Sequence, residues 1–157
     1  MVSKLSAKDL HITIVISEFN ITISERLLKG TVNAFLHYNG SEPNLKIYRV
    51  PGAFEIPGTI QQILHRYKPN AIIALGAVVR GETSHFDYVA GESAHGISHL
   101  SREKDIPIIN GILTTDNVGQ AMKRSQPGGR NKGWDAMEAA IQTIAVYQKI
   151  QTSIKCE

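Results

Sequence analysis

Gly81-Glu82-Thr83-Ser84-His85 brings two hydroxyls, a permissive backbone and an imidazole together directly after the apolar run Ala71 to Val79. That grouping suits proton transfer and anion binding. Histidine changes charge near neutral pH, and backbone N–H groups at a helix start attract negative charge. Gly81 frees the backbone, and Asp87 is placed to cap the following helix. His85 is therefore either a general acid/base or a hydrogen-bonding loop residue. Gly81, Glu82 and Thr83 read as a phosphate cradle.

One tempting motif fails. Gly76 to Thr83 spells G-x-x-x-x-G-E-T, but Glu82 stands where a nucleotide-binding P-loop needs lysine, so nucleoside triphosphate binding is excluded there. Earlier in the chain, Phe19 lies in Ser17-Glu18-Phe19-Asn20, where a turn is expected. It either stacks on a flat heterocycle or folds back onto the core. Val50-Pro51-Gly52-Ala53-Phe54-Glu55-Ile56-Pro57 is a rigid helix approach. Its N–H groups can hold hydroxyls or anions, and Glu55 either binds a polyol or satisfies the helix dipole. Further on, Asn110-Gly111 stands late in the last strand-like run, and Thr114-Thr115-Asp116, Arg124 and Lys132 follow it. Arginine can grip a phosphate with two N–H groups, and lysine can polarise a carbonyl; simple surface placement is the other reading. His95 and His99 have the spacing of helical metal ligands, but they share a polar helix face and read as solvated residues. Ile16-Ser17-Glu18-Phe19 lacks the glycines of a dinucleotide-binding turn, which disfavours a nicotinamide cofactor.

These clusters share a position. Strand-like runs at Leu10–Ser17, Leu45–Val50, Ala71–Val79 and Ile106–Leu113 each end at one of them. Helical patterns follow at about Ser24–Tyr38, Phe54–Tyr67, Asp87–Lys104, from a Thr114-Thr115-Asp116 cap to Arg124, and at Lys132–Ile150. In the first, Leu27, Leu28, Val32, Phe35 and Leu36 share a face, and Asn39-Gly40 stops it. In the third, Val89, Ala90, Ala94, Ile97 and Leu100 point inward. Alternating strands and helices predict a four-stranded parallel sheet between two helical layers, a three-layer α/β/α sandwich. Ligands of such sheets bind beyond the carboxyl ends of the strands, where the clusters fall.

At 157 residues, the chain has the length of a single domain, with residues 1–9 and 151–157 expected as loose tails. The formal charge of +3 suits small anions, but lysine and arginine are scattered, without the stripe of a nucleic-acid binder. Cys156 is the one cysteine, so an intrachain disulfide is excluded and a reducing cytoplasm is expected. No apolar run is long enough to cross a bilayer and no signal-peptide pattern opens the chain. We therefore expect neither nucleic-acid nor membrane partners.

Taken in order, S-E-F-N, V-P-G-A-F-E-I-P, G-A-V-V-R-G-E-T-S-H-F-D-Y-V, N-G-I-L-T-T-D-N and R-N-K-G-W-D-A resemble the 6,7-dimethyl-8-ribityllumazine synthase family. The resemblance spans about residues 10 to 150. It implies a flavodoxin-like fold and a transferase joining 5-amino-6-(D-ribitylamino)uracil to 3,4-dihydroxy-2-butanone 4-phosphate, with loss of phosphate and water and no metal or redox cofactor. It further implies Phe19 against the pyrimidine ring, Ala53, Phe54 and Glu55 at the ribityl chain, and the Val78 and Val79 backbone at the pyrimidine edge. Gly81, Glu82 and Thr83 would hold the butanone phosphate, and His85 would move protons. Arg124, Lys132 and Asn110 would come from a neighbouring subunit, the first to the phosphate and the others to the uracil.

Two positions depart from that pattern. Asn110 stands where many relatives carry an aromatic residue, replacing stacking with hydrogen bonding, and Glu82 sets a carboxylate beside the phosphate position. Gln126 to Arg130 differs from the corresponding loop of shell-forming relatives, which favours a homopentamer or a pair of pentamers. The rival reading is a flavodoxin-like module that binds flavin or a phosphorylated ligand without catalysis. The joint presence of His85, Arg124 and Lys132 argues for the enzyme.

Overall fold

The computed structural model describes residues 4–128 and 131–153. Its centre is a sheet of β1 (Ile12–Ser17), β2 (Leu45–Val50), β3 (Ala71–Val79) and β4 (Ile108–Thr115), all parallel, in the order β2-β1-β3-β4. The helices are α1 (Ile21–His37), α2 (Ile56–Leu64), α3 (His85–Glu103), α4 (Val118–Arg124) and α5 (Lys132–Ser153). β1 and β3 occupy the centre, and their near-continuous apolar sequences are buried on both sides. Ile14, Ile16, Ile73 and Leu75 pack with α1 and α5; Val15, Ile72 and Ala74 pack with α2 and α3. Alternate side chains thus feed two cores, which makes the three-layer α/β/α sandwich.

β2 is an edge strand, and only Val50 in it is buried. β4 starts and ends two residues later than its apolar run suggests. Its register, Ile72 opposite Ile108 through Val79 opposite Thr115, carries it to the full length of β3. Pro107 has no N–H to give the ladder and contributes only its carbonyl, to the Ile72 N–H at 3.0 Å.

Helix starts moved most. α1 begins at Ile21, not Ser24, because Asn20 takes the left-handed conformation (φ 59°) and turns the chain at once. The Asn39-Gly40 stop works through the same geometry: Asn39 has φ 68°, and the Gly40 N–H donates to Phe35 O at 2.8 Å. The second helix is preceded by a 3-10 turn, Ala53–Glu55, and closes at Leu64. α3 starts at His85, so Asp87 lies inside the first turn instead of capping it. Along α3, Ser93 is buried and Ala94 exposed, the reverse of the apolar pattern; the Ser93 hydroxyl is satisfied by Ala90 O at 3.2 Å. On α1, Leu36 is likewise exposed and Ala34 takes the inner place. Asn117, not the Thr114-Thr115-Asp116 run, caps α4: its side chain accepts from the Gln120 N–H at 2.9 Å, while both threonines belong to β4.

The expected loose tails are corrected where the structure describes them. Ala7 is fully buried and its N–H donates to Tyr38 O at 2.6 Å, with Leu5 and Leu10 against the core, while residues 151–153 continue α5. Residues 1–3 and 154–157, with Cys156, and positions 129–130 of the Gln126–Arg130 loop lie outside the described residues.

Candidate active site

The carboxyl ends of β1, β2 and β3 converge on one cavity of about 650 Å³. After β1, the chain is pinned to the β2 exit by Glu18 N–H to Val50 O (2.8 Å) and Phe19 N–H to Pro51 O (3.0 Å). Asn20 pins the same turn to β3, donating from Nδ2 to Ala77 O at 3.0 Å. Held on both sides, the turn presents Phe19 outward at 73% exposure, on the cavity wall. An aromatic folded onto the core would be buried, so that reading is set aside.

The β2 exit supplies the opposite wall. Pro51 fixes the backbone, and the 3-10 turn places Ala53 inward (4% exposed) while Phe54 and Glu55 face the cavity. The Glu55 carboxylate lies back across Gly52: a Cβ there would come 3.0 Å from Glu55 Oε2. From β3 come Val78 and Val79, then Gly81, Thr83 and His85. The His85 N–H reaches Thr83 Oγ1 at 3.4 Å, a long contact in the first turn of α3. α3 begins at this loop without a side-chain cap bond, so its positive dipole end lies where an anion would approach.

Arg80 holds this loop from behind. Its backbone N–H donates to Thr115 O (2.8 Å), its Nε to Asp116 Oδ1 (3.0 Å) and its Nη1 to Asp87 Oδ1 (3.3 Å), and its guanidinium lies 4.5 Å over the Phe86 ring. The hydrogen bond that Arg80 donates to Asp116, with the charges of both carboxylates, holds Arg80 more firmly protonated.

The remaining candidates lie elsewhere on the chain. Asn110, Arg124 and Lys132 line a different hollow of about 400 Å³ along β4 and the start of α5. Asn110 Oδ1 accepts from Ile112 N–H at 3.0 Å, leaving its amide N–H groups to point outward. Lys132 Nζ pairs with Asp135 at 3.2 Å, and Arg124 donates to Gln120 O at 3.1 Å. Glu82 is exposed and lines neither hollow. Among the described residues, no lysine or arginine lines the first cavity.

One wall residue and two supporting residues escaped sequence reasoning. Tyr88, 68% exposed, shares a face with His85 at the i, i+3 spacing, which placing the helix start at His85 would have revealed. Asn20 and Arg80 act by tertiary hydrogen bonds, for which a lone sequence has no signal. His99 pairs with Glu103 at 3.3 Å on the outer face of α3, and no group of three or more potential metal ligands occurs among the described residues.

A parallel α/β/α sandwich with its cavity beyond three strand ends, walled by an exposed aromatic and a helix-start loop, defines a flavodoxin-like protein with a cavity placed where such folds hold small molecules. Within that class the sequence is specific. The family profile described as 6,7-dimethyl-8-ribityllumazine synthase matches residues 9–148, and the chain belongs to that family. It is similar to proteins named 6,7-dimethyl-8-ribityllumazine synthase from Chloroherpeton thalassium (44% identical, covering 93% of this chain and 94% of the relative) and Chlorobium luteolum (43%, with the same coverage). A protein of the same name from Chlorobium limicola is 39% identical over 92% of this chain and 94% of its own.

Proposed function

We propose that the chain condenses 5-amino-6-(D-ribitylamino)uracil with 3,4-dihydroxy-2-butanone 4-phosphate, releasing phosphate and water and forming 6,7-dimethyl-8-ribityllumazine for riboflavin synthesis. The family match over nearly the whole chain carries this reading and disfavours the non-catalytic binding module. Phe19 stacks on the pyrimidine, Ala53, Phe54 and Glu55 meet the ribityl chain, and the Val78-Val79 backbone meets the pyrimidine edge. Gly81, Glu82 and Thr83 hold the phosphate through backbone N–H groups and the Thr83 hydroxyl. The exposure of the Glu82 side chain away from the cavity supports a backbone-only role for that residue.

Charge complementarity supports a site shared between copies. A phosphate dianion in the first cavity meets no lysine or arginine among the described residues of its own chain, while Arg124 and Lys132 stand exposed on a separate hollow with Asn110. In a ring of identical subunits, the second hollow of one copy closes the first cavity of the next, with Arg124 on the phosphate and Lys132 and Asn110 on the uracil. We favour a pentamer or a pair of pentamers, working in the cytoplasm; no described helix is long and apolar enough to cross a membrane.

The chemistry asks little of the protein. The diaminouracil is a nucleophile and phosphate a leaving group, so holding both substrates in reacting geometry supplies much of the acceleration. His85 assists by moving protons during imine formation and phosphate elimination. No metal or redox cofactor enters this scheme. The test is direct: mix the protein with both substrates and follow lumazine fluorescence and phosphate release together. Stoichiometric appearance of both supports the reading; protein that carries flavin and yields neither product overturns it. Light scattering decides assembly, and a particle of megadalton mass refutes the pentamer.

A further inference from the structure

The two hollows are joined by hydrogen bonds running across the surface of one chain. Arg80 immediately precedes the Gly81–Thr83 loop and clamps it at both ends. It is anchored to Thr115 through its backbone and to Asp87, beyond His85, through its side chain. Its Nε bond to Asp116 leads out of the first cavity. From there the Asp116 N–H donates to Gln120 Oε1 at 2.8 Å, and the Gln120 carbonyl accepts from the Arg124 guanidinium at 3.1 Å. The Gln120 N–H is fixed in turn by the Asn117 cap. Arg124 thus stands at the end of a continuous polar chain that starts at the loop of the other hollow.

We propose that Arg80, Asp116 and Gln120 form a positioning relay that sets the anion-holding loop of one site and the Arg124 guanidinium offered to the next copy's site. The relay rests on the proposed roles of Gly81–Thr83 and Arg124 in binding phosphate. None of its three members lines either hollow, so each acts through the groups it holds. Because one chain serves two neighbouring sites, a fault in the relay reaches phosphate binding from both sides, through the loop and through the arginine. The uracil contacts of Phe19 and Glu55 depend on other hydrogen bonds and are untouched.

The test uses the assembled protein and its variants Arg80→Ala, Asp116→Ala, Asp116→Asn and the double Arg80→Ala/Asp116→Ala. Inorganic phosphate binding is measured by titration calorimetry, steady-state KM is measured for each substrate, and thermal melting checks folding. Asp116 is exposed, so its variants should fold, and a single exposed contact of this kind is worth roughly a 1.5- to five-fold change in affinity. Asp116→Ala should therefore weaken inorganic phosphate and raise the keto-phosphate KM by about that factor, with the uracil KM almost unchanged. Asp116→Asn, which keeps an acceptor oxygen, should fall between Ala and the parent. The double variant should be no worse than the poorer single, because both break one contact. Unchanged phosphate affinity, equal rises in both KM values, or fully additive losses would each overturn the relay. Should the parent lack turnover, the functional reading fails by itself, and phosphate titration still decides the relay: selective weakening in Asp116→Ala supports it, and no binding by the parent overturns it.

Discussion

Asn20 turns the chain out of β1 in a left-handed conformation while its side-chain amide donates to the Ala77 carbonyl of β3 at 3.0 Å. One residue therefore sets both the backbone path that exposes Phe19 and the distance between two cavity walls. Asn20→Ala loses the hydrogen bond and strains a φ that residues with a Cβ resist, a combined cost of about 2–3 kcal/mol. Asn20→Gly loses only the bond and should cost about 1 kcal/mol. Chemical denaturation of the two variants reads the difference, and equal losses would refute the conformational half of the argument.

Phe19 contributes to binding and not to folding. At 73% exposure its removal opens no core cavity, so Phe19→Ala should leave the melting temperature almost unchanged. Loss of stacking should weaken the uracil by about ten-fold, roughly 1.4 kcal/mol, while Phe19→Tyr retains most of the affinity. A variant that melts early with unaltered KM would show Phe19 to be a packing residue after all.

His85 and Arg124 should fail in different ways. If holding the substrates supplies most of the rate, His85→Ala keeps measurable turnover, with kcat down by about a hundred-fold at most. Arg124→Ala removes a charge-assisted contact, so the keto-phosphate KM should rise by about ten- to hundred-fold. Steady-state kinetics separates the two patterns, and a completely inactive, folded His85→Ala would contradict the first.

How much of this was legible beforehand follows from where the information sits. β3 could be read directly because both its faces are buried, so nearly every residue from Ala71 to Val78 is apolar and the run is bounded by its own ends. β4 slid by two residues because register is set by its partner, not by its own apolar positions. The start of α3 was ambiguous because Thr83, Ser84 and Asp87 are all competent caps. The chain settled on Ser84 as the N-cap, without a side-chain cap bond, and Asp87 pairs with Arg80 instead. The site residues on β1, β2 and β3 gathered as their positions at strand ends required. Asn110 on β4, with Arg124 and Lys132 after it, lies at the other edge of the sheet, where one chain does not bring them to the first cavity.

Gly133 is where α5 comes closest to α1. A Cβ there would stand 2.0 Å from Leu27 O and 2.7 Å from Thr31 Oγ1, and the Thr31 hydroxyl bonds Gly133 O at 2.9 Å. Alanine raises helix propensity by about 1 kcal/mol in an open helix, but here the clash is with backbone, which cannot rotate away. Gly133→Ala should therefore destabilise by about 1–3 kcal/mol on balance. The same change at Gly91, where a Cβ meets nothing within 4 Å, should stabilise slightly. Paired melting curves for the two variants test the sign at each position.

A second tie between those helices should make stability depend on alkaline pH. The Tyr38 hydroxyl donates to Glu138 Oε1 at 2.6 Å, and the Trp134 indole N–H donates to the same oxygen at 2.7 Å. The Tyr38 pKa is raised, first by this hydrogen bond to Glu138, then by partial burial and by the carboxylate's charge. A raised pKa means that the folded state favours the protonated phenol. The contribution is therefore complete below the unfolded tyrosine value of about 10 and is lost as pH climbs through the higher folded value. Tyr38→Phe should cost about 1 kcal/mol at neutral pH. The variant should also lose less stability than the parent between neutral and strongly alkaline pH. Denaturation at both pH values, with phenolate absorbance following ionisation, checks this. Parallel alkaline losses in parent and variant would show that the hydrogen bond is not what holds the Tyr38 proton.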